Sequence, residues 1–128
     1  MENDDILNNT PTVGFVFIIP EGTPLPYSKM ALYAAHTQDV LSNQHNVCGG
    51  MNVGLLNGWR LHGGAKDLYI LRSASPRQEY EALSWRAFKD TMVVKASSND
   101  LPDIYCVAFG PHKKSVIDGI AAGCESWF

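Results

Sequence analysis

The chain has 128 residues, 45% hydrophobic and 18% charged, which is the make-up of one soluble globular domain and too short for two ordinary ones. Its formal net charge is −3, and Glu2, Asp4 and Asp5 supply that whole excess, so the rest of the chain lacks the basic surplus of a general nucleic-acid binder. Cys48, Cys106 and Cys124 contain no Cys-x-x-Cys pair and no apolar run or leader suits a membrane, which excludes a disulfide framework and a bilayer span and reads as cytoplasmic.

Residues 1–11, rich in Asn and Asp and ending in Pro11, read as a disordered lead-in, and residues 12–128 as a single domain. Val13 to Ile19, β-branched and aromatic almost throughout and ended by Pro20, predict a central strand covered on both faces. Gly22, Pro24 and Pro26 make a turn, after which Ser28 caps a helix, with a start at Pro26 as the alternative. At about 100° per residue, Met30, Ala34, Thr37 and Leu41 form the core stripe, and Lys29, Tyr33, His36 and Val40 a second stripe at its edge. Lys29 and His36 stand two turns apart, about 10 Å along the axis. A cation and an imidazole at the margin of a buried face form a candidate site. A solvated lysine and a structural histidine are the ordinary alternatives from spacing alone.

From Ser42 to Lys66, repeated glycines interrupt the pattern, and the stretch reads as loop with a short helical piece around Met51 to Leu56. His45, Cys48 and His62 offer one local His-x-x-Cys spacing and no fourth ligand, so no metal is expected. Neither Gly49-Gly50 nor Gly63-Gly64 stands in a phosphate-binding fingerprint, so no cofactor is expected either. Cys48, close to His45, is a minor candidate for thiol chemistry, with nothing in the sequence to lower its pKa.

Leu68 to Leu71 form the second strand. Ser75-Pro76-Arg77-Gln78 then reads as a capping box opening a helix that turns Tyr80, Leu83, Ala87 and Phe88 inward, with Trp85 off that stripe. Met92 to Val94 and Ile104 to Phe109 are the third and fourth strands, and Gly110-Pro111 leads into a last helix with Val116, Ile117, Ile120 and Ala121 inward. Lys113 and Lys114 near its start gain nothing from the dipole and read as solvated. The order predicts an α/β fold, a three-layer α/β/α sandwich around a small four-stranded mixed sheet.

Lys29, Ala31 and His36 stand in a Lys-x-Ala-x-x-x-x-His pattern after the first strand, Trp59 and Gly63-Gly64 precede the second, and Cys106 to Pro111 runs from the last strand into the closing helix. In this order and spacing the chain resembles the peptidyl-tRNA hydrolase type 2 superfamily, typical of archaea and eukaryotes, over roughly residues 13–122. That resemblance implies hydrolysis of the ester that joins peptide to tRNA, with Lys29 and His36 catalytic. It also implies the acceptor end of peptidyl-tRNA as partner, without membrane or extended DNA binding. Relatives with this fold are often dimers, so a homodimer is implied as well.

The departures bear on the activity. Tyr33 stands where the family usually has glutamine and Thr37 where it has a small residue. The family's Asp-Ala-Gly-x-Thr segment is replaced by the shorter Lys95-Ala-Ser-Ser-Asn-Asp100. Ser97, Ser98 or Asp100 could substitute in part, though no motif assigns which, and Tyr33 could stack on a terminal adenine or simply pack. Two functions therefore stand side by side. One is a hydrolase that activates water and steadies an oxyanion; the other is a non-catalytic or uncharacterised module of the same fold that binds a small ligand, a nucleotide end or a protein.

Overall fold

Strand β1, Pro11–Pro20, buries its eight inner positions, because a run of Val, Phe and Ile without a charge leaves neither face for water. The computed structural model describes residues 11–48, 53–61, 63–98 and 101–126, and β1 lies at the centre of its sheet. The chain continues through α1 (Tyr27–Cys48), α2 (Val53–Leu61), β2 (Lys66–Ser73), α3 (Pro76–Phe88), β3 (Val93–Ser98), β4 (Leu101–Lys113), α4 (Lys114–Ile120) and β5 (Glu125–Ser126). The strand order is β3-β4-β1-β2-β5. β1 and β2 pair in parallel from Val13↔Lys66 to Pro20↔Ser73, a pairing that needs a crossover, here supplied by α1 and α2. β4 is antiparallel to both β1 and β3, so β1, β2 and β3 run the same way and end at one edge of the sheet.

Two cores flank the sheet. On one side Phe15, Phe17 and Ile19 meet Met30, Tyr33 and Leu41 of α1 and Trp59 of α2. On the other, Val16, Ile18 and Val107 meet Tyr80, Leu83 and Ala87 of α3 and Ile117 and Ile120 of α4. The result is an α/β fold with helices on both faces. Among the described residues no helix is long and apolar enough to cross a membrane.

The structure corrects the sequence reading in several places. The open mixed sheet has five strands rather than four: Glu125 and Ser126 pair with Ile70 and Tyr69. A two-residue strand is too short to leave a periodic signal. The glycine-rich stretch is largely helical, since α1 runs on to Cys48 and α2 contains Gly54 and Gly58. Each glycine costs a helix only about 1 kcal/mol relative to alanine, which tertiary packing outweighs. The bend after α2 needs its glycines, with Gly63 and Gly64 at φ +88 and +67, and the Trp59 indole N–H closes it by donating to the Ala65 carbonyl at 2.7 Å.

In α3 the buried residues are Tyr80, Leu83, Ser84 and Ala87. Phe88 is 64% exposed, as is Trp85; at about 100° per residue Phe88 lies about 40° beyond Ser84, past the edge of the buried stripe. Ser75 makes no side-chain cap; instead its N–H donates to Ser73 Oγ at 2.9 Å. Lys114 is not simply solvated, for it reaches Asp67 at 2.9 Å and Asp118 at 3.4 Å. The Asp67 carboxylate holds its ammonium above the usual lysine pKa. Arg86 also crosses to α4, donating through Nη2 to the Ile120 carbonyl at 2.7 Å.

Burial, and then the Glu81 charge, push the Tyr80 hydroxyl up to about 12, and burial with the Asp118 hydrogen bond raises Tyr69 as well. Above pH ~10 the unfolded chain gives up these protons while the folded chain keeps them. The two tyrosines are therefore expected to cost roughly 1–3 kcal/mol of stability between pH ~10 and pH 12, added to a decline that starts nearer pH ~9, where the unfolded chain ionises its cysteines while buried Cys106 keeps its proton. Urea unfolding followed at increasing alkaline pH checks this, and a midpoint that does not move would contradict it.

Candidate functional site

α1 begins after Pro26, whose carbonyl accepts the Met30 N–H at 3.0 Å, so Ser28 lies inside the helix rather than capping it. Met30, Tyr33, Thr37 and Leu41 face the sheet, each at most 8% exposed. Lys29 and His36, about 20° apart around the axis, lie on the flank of that face, Lys29 half-buried and His36 exposed. The two candidate catalytic residues thus share one margin of the core. Tyr33 belongs to the core itself, since a position three residues after Met30 falls within the buried stripe. Its hydroxyl is buried and has no hydrogen-bond partner among the described residues.

Around Tyr33 the polar groups are bound to the helix. Thr37 Oγ1 donates to the Tyr33 carbonyl at 2.6 Å, the back-bonding a threonine adopts when its hydroxyl has no water. Burial pushes the nearby Cys106 thiol up to about 12, so Cys106 is a packing group and not a nucleophile. Among the described residues no hydrogen bond or ion pair joins Lys29 to His36 or brings a carboxylate to either.

β3 decides where the replacement hydroxyls go. Val94 and Ala96 pack towards α1, and Lys95 turns the other way, with Nζ 4.9 Å above the Tyr80 ring and 3.3 Å from Glu81. Ser97 follows Lys95, beside the Tyr80 hydroxyl on the α3 side. The sheet therefore separates Ser97 from Lys29 and His36. Asp100 and the side chain of Ser98 lie outside the described residues, as do His62 and the side chains of His45 and Cys48. No group of three or more His, Cys, Asp or Glu among the described residues could hold a metal ion.

A second feature escapes the sequence reading. At the end of the sheet where β1 and β2 stop, Pro20, Ala74 to Gln78, Glu81 and Asp103 line an open cleft of about 700 Å³. Open α/β sheets characteristically bind ligands outside the carboxyl ends of parallel strands, and 300–1,000 Å³ is the usual size of small-molecule sites. Arg77 stands on its wall, and the first N–H groups of α3 precede the intrahelical bonding that starts with Glu79 to Ser75. The local signal was a strand followed at once by Ser-Pro-Arg and a helix. Lys29 and His36, on the opposite face of the sheet, are not among the lining residues. No protein-family model matches the chain, and no curated protein matches it in sequence.

Proposed function

We propose that this chain is a divergent domain of the peptidyl-tRNA hydrolase type 2 kind that binds a small anionic ligand, such as a nucleotide end, and does not hydrolyse peptidyl-tRNA. The observation that carries this reading is the placement of Ser97 on the α3 side of the sheet, away from Lys29 and His36. Ester hydrolysis needs a base, an oxyanion stabiliser and a positioned water at one point. A lysine and an exposed imidazole to which no carboxylate or side-chain hydroxyl is bonded among the described residues supply only part of that set.

The cleft supports the binding half of the proposal. Arg77 and the amides at the start of α3 favour an anion; of the two acids that line the cleft, Glu81 is engaged by Lys95, and Asp103 is the other. At ten times its dissociation constant a ligand stabilises the native state by about 1.4 kcal/mol, a rise in melting temperature of roughly 3–6 °C. Adenosine monophosphate is expected to give such a rise, Arg77→Ala to abolish it and Lys29→Ala to leave it in place. A melting temperature indifferent to nucleotides and to inorganic phosphate would reject the proposal.

The hydrolase remains the second reading, favoured by Lys29 and His36 standing on one flank of α1 as the resemblance implies. It expects turnover of peptidyl-tRNA that Lys29→Ala and His36→Ala each largely remove.

A further inference from the structure

The cleft at the ends of β1 and β2 has walls of opposite charge. Arg77 stands on one of them, beside the backbone amides that precede the first bond of α3, from the Glu79 N–H to the Ser75 carbonyl at 3.1 Å. Asp103 stands on the other. β1 lies between β2 and β4, with Ser73 of β2 in register with Pro20 and Tyr105 of β4 in register with Ile18. The turn into α3 and Asp103 therefore flank Pro20 from opposite sides, one to two strand spacings or roughly 5–10 Å apart.

Asp103 makes no ion pair among the described residues, whereas Glu81, the other acid of the lining, is held by Lys95 at 3.3 Å. A carboxylate that repels an anion at short range has no part in a site for phosphate alone. Its two oxygens accept hydrogen bonds and cannot donate them. A ligand that suits both walls carries its phosphate at one end and donors, without a second negative charge, at the other. The backbone of Asp103, at φ +73, suits asparagine as well as aspartate, so it does not account for the charge.

Resting on the anion-binding reading of this cleft, we infer that the ligand is a ribose 5-phosphate unit, free or within a mononucleotide. Its phosphate lies on Arg77 and the start of α3, and its 2′ and 3′ hydroxyls donate to the two carboxylate oxygens of Asp103. A furanose carries that diol on the side of the ring away from its phosphate, so one sugar spans the two walls, and a carboxylate is the usual acceptor for ribose hydroxyls in open α/β folds. No aromatic side chain belongs to the lining, which leaves recognition to the sugar phosphate rather than to stacking on a base. A ribose esterified on either hydroxyl, as at the end of peptidyl-tRNA, loses one of the two bonds.

Isothermal titration calorimetry of the full chain with adenosine monophosphate, its 2′-deoxy analogue, ribose 5-phosphate, phosphoethanolamine and inorganic phosphate tests this. Losing one hydroxyl from a carboxylate is expected to weaken binding about 10- to 100-fold, so the deoxy analogue falls below adenosine monophosphate by that factor. Ribose 5-phosphate equal to adenosine monophosphate identifies the free sugar phosphate as the ligand, and a tighter adenosine monophosphate identifies the nucleotide; the diol preference holds in both. Asp103→Asn is expected to abolish that preference and to leave inorganic phosphate bound, whereas a purely structural role would lower every probe alike. A deoxy analogue bound as tightly as adenosine monophosphate, phosphoethanolamine bound more tightly than ribose 5-phosphate, or a preference that survives Asp103→Asn overturns the inference and leaves the anion site standing. Folded protein that binds none of the probes overturns the anion-binding reading and this inference with it.

Discussion

Gly14→Val is expected to unfold much of the protein at ambient temperature, and Gly14→Ala to destabilise it by roughly 1–3 kcal/mol. Gly14 lies inside β1 opposite Phe109 of β4. A Cβ built there would come within 2.6 and 2.7 Å of the Phe109 ring and 2.9 Å of the Ile117 side chain. Neither neighbour can yield, because both are 0% exposed and packed in the same core. The gain in strand propensity on leaving glycine is less than ~1 kcal/mol, so overpacking wins. Valine adds two further carbons to the same clash, and a domain with about 5–15 kcal/mol of total stability has little margin for it. Denaturant unfolding of the alanine variant reads the effect; stability equal to or above wild type would show that this core has slack the structure does not show.

Phe17→Ala is expected to cost ~3–5 kcal/mol, the range for deleting a fully buried aromatic side chain. Phe17 is 0% exposed on the α1 face of β1, where it shares a core with Met30, Tyr33 and Cys106. That core sets the position of α1 against the sheet, and with it the placement of Lys29 and His36. Loss of Phe17 should therefore lower the unfolding midpoint sharply and loosen α1 first, measurable as faster amide exchange along Tyr27–Cys48 than along α3. Uniform acceleration across both helices would mean that the two faces of the sheet unfold as one unit.

The reasons these effects can be anticipated show what the sequence makes legible. β1 declares itself, since Val13 to Ile19 carry no polar side chain, and such a run is stable only between two covering layers. The start of α3 is equally readable from Pro76 at its first turn. Its inward stripe is less so, because Ser84, at the edge of the stripe, is buried although polar, and Phe88, about 40° further round the axis, is exposed although apolar. Ser84 Oγ is satisfied by donating to the Tyr80 carbonyl at 2.6 Å, so a polar side chain can be buried there.

The stretch between α1 and β2 misleads for a different reason. Glycine lowers helix propensity residue by residue, whereas α2 is held by Trp59, 5% exposed, against β1 and by the indole bond to Ala65. Those contacts are distant in sequence from the glycines they override. For the candidate site, the periodicity of α1 placed Lys29 and His36 on one flank, and it placed Tyr33 one step too far from the core. It carried no information on which face of β3 would present Ser97. A one-residue shift in strand register exchanges the faces, so the composition of Lys95 to Asp100 could suggest replacement hydroxyls without locating them. The cleft at the ends of β1 and β2 depends on strand order, which no local pattern encodes.

The binding reading and the hydrolase reading part on one chemical step. Purified full-length protein incubated with a peptidyl-tRNA, with release of free peptide followed over time, tests that step directly. The binding account expects release no faster than in buffer alone, for the wild type and for Lys29→Ala and His36→Ala alike. Catalytic release by the wild type that either substitution removes would contradict it, and would mean that Lys29 and His36 assemble a working centre without Ser97.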